Sequence, residues 1–168
     1  VIMNKKRLFM RKSICHFLLL LGLGILAGIT AKLLDIYTTN LGNIFSELSI
    51  WILFGVVITL FSKNEKFAMI HVFLFCVGML FGYYFTAELT SSVYATTFII
   101  GWSIFSCFSP LFAYLTWKTK KKDIRGIIIS LGVLVVTLVA CIIFFDGPRW
   151  YDYVILLILA FLLFRKKD

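Results

Sequence analysis

KKRLFMRKSICHFLLLLGLGILAGITAKLL, residues 5–34, carries the reading that decides the fold: a basic run, then an apolar stretch whose only charge is Lys32 near its far end. About 20 apolar residues suffice to cross a hydrocarbon core of about 30 Å as a helix. A basic start also opens a signal peptide, but this apolar stretch is too long, and Ile29 and Ala31 make a poor cleavage site. A retained membrane anchor is expected. Outward from there the pattern repeats. Lys5, Lys6, Arg7, Arg11 and Lys12 are followed by Lys63 and Lys66, by Lys118, Lys120, Lys121, Lys122 and Arg125, and by Arg165, Lys166 and Lys167. Fifteen of the 17 Lys and Arg residues fall in these four clusters; Lys32 and Arg149 do not. Because basic loops stay in the cytoplasm, two spans must fit between consecutive clusters. The prediction is an all-α polytopic membrane protein, a compact six-helix bundle with both termini cytoplasmic. It forms one integral membrane domain over residues 1–168, with spans at about 13–34, 41–61, 67–88, 91–117, 124–145 and 147–164.

Composition agrees. With 61% hydrophobic residues and a mean hydropathy of +1.00, the chain leaves no room for a separate soluble domain. The net charge of +9 does not mark a nucleic-acid binder, because it comes as short runs flanking spans rather than as one basic face. Anionic lipids at the cytoplasmic surface are the expected partners of those runs. Cys15, Cys76, Cys107 and Cys141 fall within spans without metal-ligand spacing, so they read as small apolar residues, and neither metal nor cofactor is expected.

Three spans have irregularities. The second is polar in its outer half, with Asn43, Ser46, Glu47 and Ser49 ahead of Trp51, and allows an interfacial half-turn. The fourth exceeds what a bilayer needs, which implies tilt or a bend at Pro110, whose nitrogen cannot reach the Ser106 carbonyl with a hydrogen bond. In the sixth, Trp150–Phe164 is too short at 1.5 Å per residue, so the helix is expected to start near Gly147 with Pro148 in its first turn. That count puts Asp152 about 18 Å above the inner edge, where a charge costs about 3 kcal/mol, and it needs a partner. Arg149, one turn away, is the local candidate.

The first and third spans share a Gly-x-x-x-Gly step, Gly24 with Gly28 and Gly78 with Gly82, which lets helix backbones approach closely. Packed in parallel, they would bring Lys32 and Glu88 together at the outer end. That end holds Lys32, Asp35, Glu47, Glu88, Asp146, Arg149 and Asp152, five acids against two bases. Tyr37, Trp51, Tyr83, Tyr84, Tyr94, Trp102, Trp150, Tyr151 and Tyr153 surround them. A belt of aromatics is ordinary at an interface, but an aromatic-lined, net-negative cavity would suit a cationic or zwitterionic small molecule. In that reading Asp152, Glu88 and Glu47 are the binding acids, with Lys32 and Arg149 as tuning partners.

Two other classes stay open: a structural or accessory membrane protein, and an intramembrane enzyme using His16 and His71. No carboxylate flanks either histidine and no His-Glu-x-x-His spacing exists, so both read as interfacial residues and no catalysis is expected. Ser103, Ser106 and Ser109 read as hydroxyls bonded back to helix carbonyls. GILAGITAKLLDIYTTNLG (24–42) and FDGPR (145–149) resemble a family of small six-span proteins of low-GC Gram-positive bacteria. The resemblance implies a bacterial plasma membrane and no assigned activity. More loosely, six spans and Ala27-x-x-x-Ala31 look like the substrate-binding membrane subunits of energy-coupling-factor transporters. That likeness implies a partner membrane protein docked on the first helix and a ligand held near the outer side.

Overall fold

The computed structural model describes residues 2–92, 94, 96–121 and 123–165, with side chains from residue 14 onward. The side chains of Lys5, Lys6, Arg7, Arg11 and Lys12, and all of Lys122, Lys166 and Lys167, lie outside the described residues. Helices α1 (Ile2–Tyr37), α2 (Thr39–Ser46), α3 (Leu48–Phe61), α4 (Glu65–Leu89), α5 (Thr96–Lys118), α6 (Ile124–Phe144) and α7 (Trp150–Phe164) account for nearly all of them, without a strand. Four, within Ile14–Tyr37, Glu65–Leu89, Thr96–Lys121 and Ile124–Phe144, are long and apolar enough to cross a membrane. A fifth crossing is made if α2 and α3, bent by 58° at Glu47, count as one broken span.

The surface is apolar, unlike that of a water-soluble bundle. Leu18, Ile128, Val136, Leu157 and Phe161 are each at least 59% exposed, which in water would be a large apolar patch and in lipid costs nothing. The interior is filled by apolar side chains around Trp51, Phe75 and Met79, and around Val56, Ile155 and Leu159. Small hydroxyl residues join them. Thr59, Thr86, Ser130 and Thr137 are buried, and each donates its hydroxyl to the carbonyl four residues back, so these four hydroxyl hydrogens are paired inside the bundle.

The glycine steps set the closest helix contact. A Cβ built on Gly24 would fall on the Phe75 carbonyl oxygen, and one on Gly28 on that of Met79; Gly78 and Gly82 stand in the same relation to Leu21 and Ile25. The four glycines interlock, and the rising order of partners makes α1 and α4 parallel. Backbones this near bring Cα–H groups against carbonyls, a weak attraction that a side chain would abolish.

Helix ends follow local chemistry. Thr38, Asn64 and Asp123 cap α2, α4 and α6 by accepting from the amides of Gly42, Phe67 and Gly126 at 3.2, 2.9 and 2.7 Å. The last helix corrects the expected start near Gly147. Asp146 and Gly147 take positive φ (59° and 115°), and the amides of Phe145 and Gly147 return to the Cys141 carbonyl, ending α6. Arg149 is extended, Pro148 stays in the turn, and α7 begins at Trp150 with 15 residues. It spans about 22 Å, short of a full hydrocarbon core.

The fourth span also begins later than expected, at Thr96, because Ser91 turns the chain at φ 50°. Pro110 lies inside α5, and Ser109 Oγ donates to the Ser106 carbonyl at 2.7 Å, the acceptor that proline cannot serve. Ser109→Ala is therefore expected to cost about 1 kcal/mol, and Pro110→Ala in the same chain to recover most of it by restoring an amide donor. Thermal melts of both variants in detergent check this; an unchanged melt for Ser109→Ala alone contradicts it.

Candidate functional site

Of the five acids the sequence singled out, the structure gathers three into two places at one end of the bundle. The first is a cavity of about 350 Å³ between α1, α3, α4 and α5, walled by Trp51, Tyr83, Tyr84, Tyr94 and Trp102 with Asp35 as its carboxylate. Five of the nine outer-end aromatics thus line one space. Lys32, buried on α1, gives its ammonium to Asp35 Oδ2 at 2.8 Å and sits 5.1 Å from the centre of the Tyr83 ring. The Tyr83 hydroxyl donates to the same oxygen at 3.2 Å. Lys32 therefore finds its carboxylate one turn along its own helix and not in Glu88. Glu88 is exposed outside the cavity wall and accepts from the Tyr94 hydroxyl at 3.2 Å. That bond, with the charge of Glu88, raises the Tyr94 phenol above its ordinary pKa.

The second place is a buried polar knot where the α2–α3 break meets the first turn of α7. Glu47, extended between the two helices, is 1% exposed, Ser49 and Asp152 are 0% exposed. Asp152 Oδ1 accepts from Ser49 Oγ at 2.6 Å, and Oδ2 accepts from the backbone amide of Arg149 at 2.9 Å, which caps the helix as an N3 carboxylate does. Glu47 Oε1 accepts from the Tyr151 hydroxyl at 2.6 Å and lies 3.2 Å from the Arg149 guanidinium. Arg149 thus gives its side chain to Glu47 and only its backbone to Asp152, correcting the ion pair expected between neighbours on α7. None of Glu47, Glu88, Arg149 and Asp152 lines the aromatic cavity.

Sequence reading missed Asp35 as the cavity's acid, Ser49 as the partner of Asp152, and Cys141. This last thiol, on the final turn of α6, is 1% exposed and comes together with Glu47 and Asp152. Its height on α6 was countable from Asp146; its facing was not. Cys76 is buried as expected, whereas Cys15 and Cys107 are exposed. At the opposite end of the bundle His71 sits 3.2 Å from Ser62 Oγ, in contact with the rings of Phe17 and Phe67. Lys118 pairs with Glu65 there at 3.0 Å, and Lys120 donates to the Ser62 carbonyl at 2.7 Å, tying α5 to the α3–α4 turn.

The family model described as "Family of unknown function (DUF6518)" matches residues 3–166. No curated protein and no solved structure matches the chain.

Proposed function

We propose, on the premise that this chain belongs to the DUF6518 family of unknown function, that it binds or passes a small cationic solute at the outer face of a bacterial plasma membrane. In this reading α2–α3 is one bent span and α7 a short sixth. The basic clusters hold both termini in the cytoplasm, so the acidic end faces outward. The chain performs no catalysis of its own, and the solute class fits a role as the binding subunit of a transporter.

The observation that carries the reading is the aromatic cavity with one carboxylate in its wall. Aromatic faces attract cations, and a desolvated site strengthens that attraction to about 2 kcal/mol or more per contact. Both bonds to Asp35 fall on Oδ2, leaving Oδ1 to meet a ligand's cationic group. Lys32 keeps Asp35 from being an uncompensated charge when the solute is absent, and its position over Tyr83 is the contact a ligand's ammonium would make with the neighbouring rings.

Trp51 and Trp102 report on the cavity by fluorescence. Titrating purified protein with tetramethylammonium is expected to give a saturable change, weakened at least tenfold in Asp35→Asn and unaltered in Asp146→Asn, whose acid lies in the α6–α7 turn. A response absent from wild type, or equal in Asp35→Asn, sinks the proposal.

A further inference from the structure

The polar knot points to a second site: we propose that Glu47, Cys141 and Asp152 bind a divalent cation of the zinc type. A carboxylate oxygen of Glu47, one of Asp152 and the Cys141 sulfur lie within 4.8 Å of one another, and none of the three residues is more than 1% exposed. They arrive from three elements, the α2–α3 break, the last turn of α6 and the first turn of α7, so no spacing along the chain announces them.

An independent observation at the same place asks for a ligand. Glu47 Oε2 is buried and has no hydrogen-bond partner among the described residues. The other carboxylate oxygens of the knot are engaged, Oε1 by Tyr151 and Arg149, Oδ1 by Ser49, and Oδ2 by the Arg149 amide. A buried carboxylate oxygen without a donor is costly, and a cation satisfies it.

Charge and donor type select the ion. In the metal-bound state, where the ligands are deprotonated, two carboxylates and a thiolate against one guanidinium carry two negative charges. A divalent ion brings the cluster to neutrality. Thiolate with carboxylates suits zinc, whereas calcium and magnesium take oxygen donors. Bonds of about 2.0–2.3 Å in a tetrahedron put ligand atoms roughly 3.5 Å apart, so side-chain rotations closing the present separations by about an ångström would complete the set. A water supplies the fourth position.

The surroundings have the form of a metal site. Tyr151 and Arg149 orient Glu47, and Ser49 with the Arg149 amide orients Asp152. A second pocket of about 260 Å³, lined by Asn40, Asn43, Arg149, Trp150 and Tyr151, reaches the two residues that hold Glu47.

Cobalt(II) tests this, because a thiolate ligand gives it a near-ultraviolet charge-transfer band and a four-coordinate site gives intense visible bands. Purified protein titrated with Co²⁺ is expected to show both, saturating near one equivalent and abolished by equimolar Zn²⁺ but not by excess Mg²⁺. Cys141→Ser is expected to lose the charge-transfer band and the rise in melting temperature that Zn²⁺ gives wild type, while Cys107→Ser, altered at an exposed thiol, keeps both. No saturable band in wild type, or a band that survives in Cys141→Ser, overturns the proposal. Cys141→Ser keeps a hydroxyl where the thiol meets Asp152 and leaves untouched the bonds from Ser49, Tyr151 and the Arg149 amide, so the test does not depend on a variant that loses its fold.

Discussion

Gly28→Leu is expected to leave no folded protein: the variant extracted in mild detergent should elute as aggregate, with no cooperative melt. A side chain at Gly28 begins with a Cβ that lands on the Met79 carbonyl oxygen and lies 2.7 Å from the Tyr83 amide. Backbone atoms cannot step aside as a flexible side chain can, so α1 and α4 must separate along the line where all four glycines interlock. Overpacking a close contact costs about 1–3 kcal/mol, and parting two helices forfeits the whole face between them. Even Gly24→Ala, whose Cβ falls on the Phe75 carbonyl oxygen, should melt several degrees below wild type. The control lies in the same chain. Gly22, Gly101 and Gly132 have nothing within 4 Å of an added Cβ, so alanine there is expected to be neutral or to stabilise by up to about 1 kcal/mol through helix propensity. Equal effects at Gly28 and Gly132 would show that helix propensity, and not contact between α1 and α4, governs these positions.

The glycine contact was legible because four-residue spacing places both glycines of a helix on one face whatever surrounds it, and the charge clusters made the two helices parallel. The same local logic placed Asp152 inside protein, but it began the helix near Gly147, three residues ahead of the observed start at Trp150. It failed where a third element decides. The break at Glu47 has no glycine or proline to mark it; the chain opens there because the carboxylate turns inward to Tyr151 and Arg149, residues more than 100 positions away. Arg149 was assigned to Asp152 by proximity along the helix, but a residue outside the first turn offers that carboxylate its backbone amide and directs its side chain elsewhere. Five of the nine outer-end aromatics meet around one cavity, yet which acid they enclose depends on how α1 leans on α4. Asp35 sits one turn beyond Lys32 and so gained a cavity that Glu88, at the end of α4, did not.

Asp152→Ala is expected to lower stability by several kcal/mol, the largest effect of any single polar substitution in the chain. It removes the acceptor of two donors at once, the buried Ser49 Oγ at 2.6 Å and the part-buried Arg149 amide at 2.9 Å. A buried donor left unpaired costs about 1–3 kcal/mol, and water cannot make up that loss at Ser49, which is 0% exposed. Asp152→Asn should fall between wild type and alanine. Its carbonyl can still accept from Ser49, but its amide then meets the Arg149 amide, donor against donor, and a helix of 15 residues loses its N-terminal acceptor. Ser49→Ala should cost little more in an Asp152→Ala background than the first substitution alone, since the hydroxyl it removes is already orphaned; that shortfall from additivity measures the pair. Melts of the three single variants and the Asp152→Ala, Ser49→Ala double variant in one detergent decide it. Full additivity, or an Asp152→Ala melt equal to wild type, would mean that the carboxylate is not what fastens α7 to the α2–α3 break.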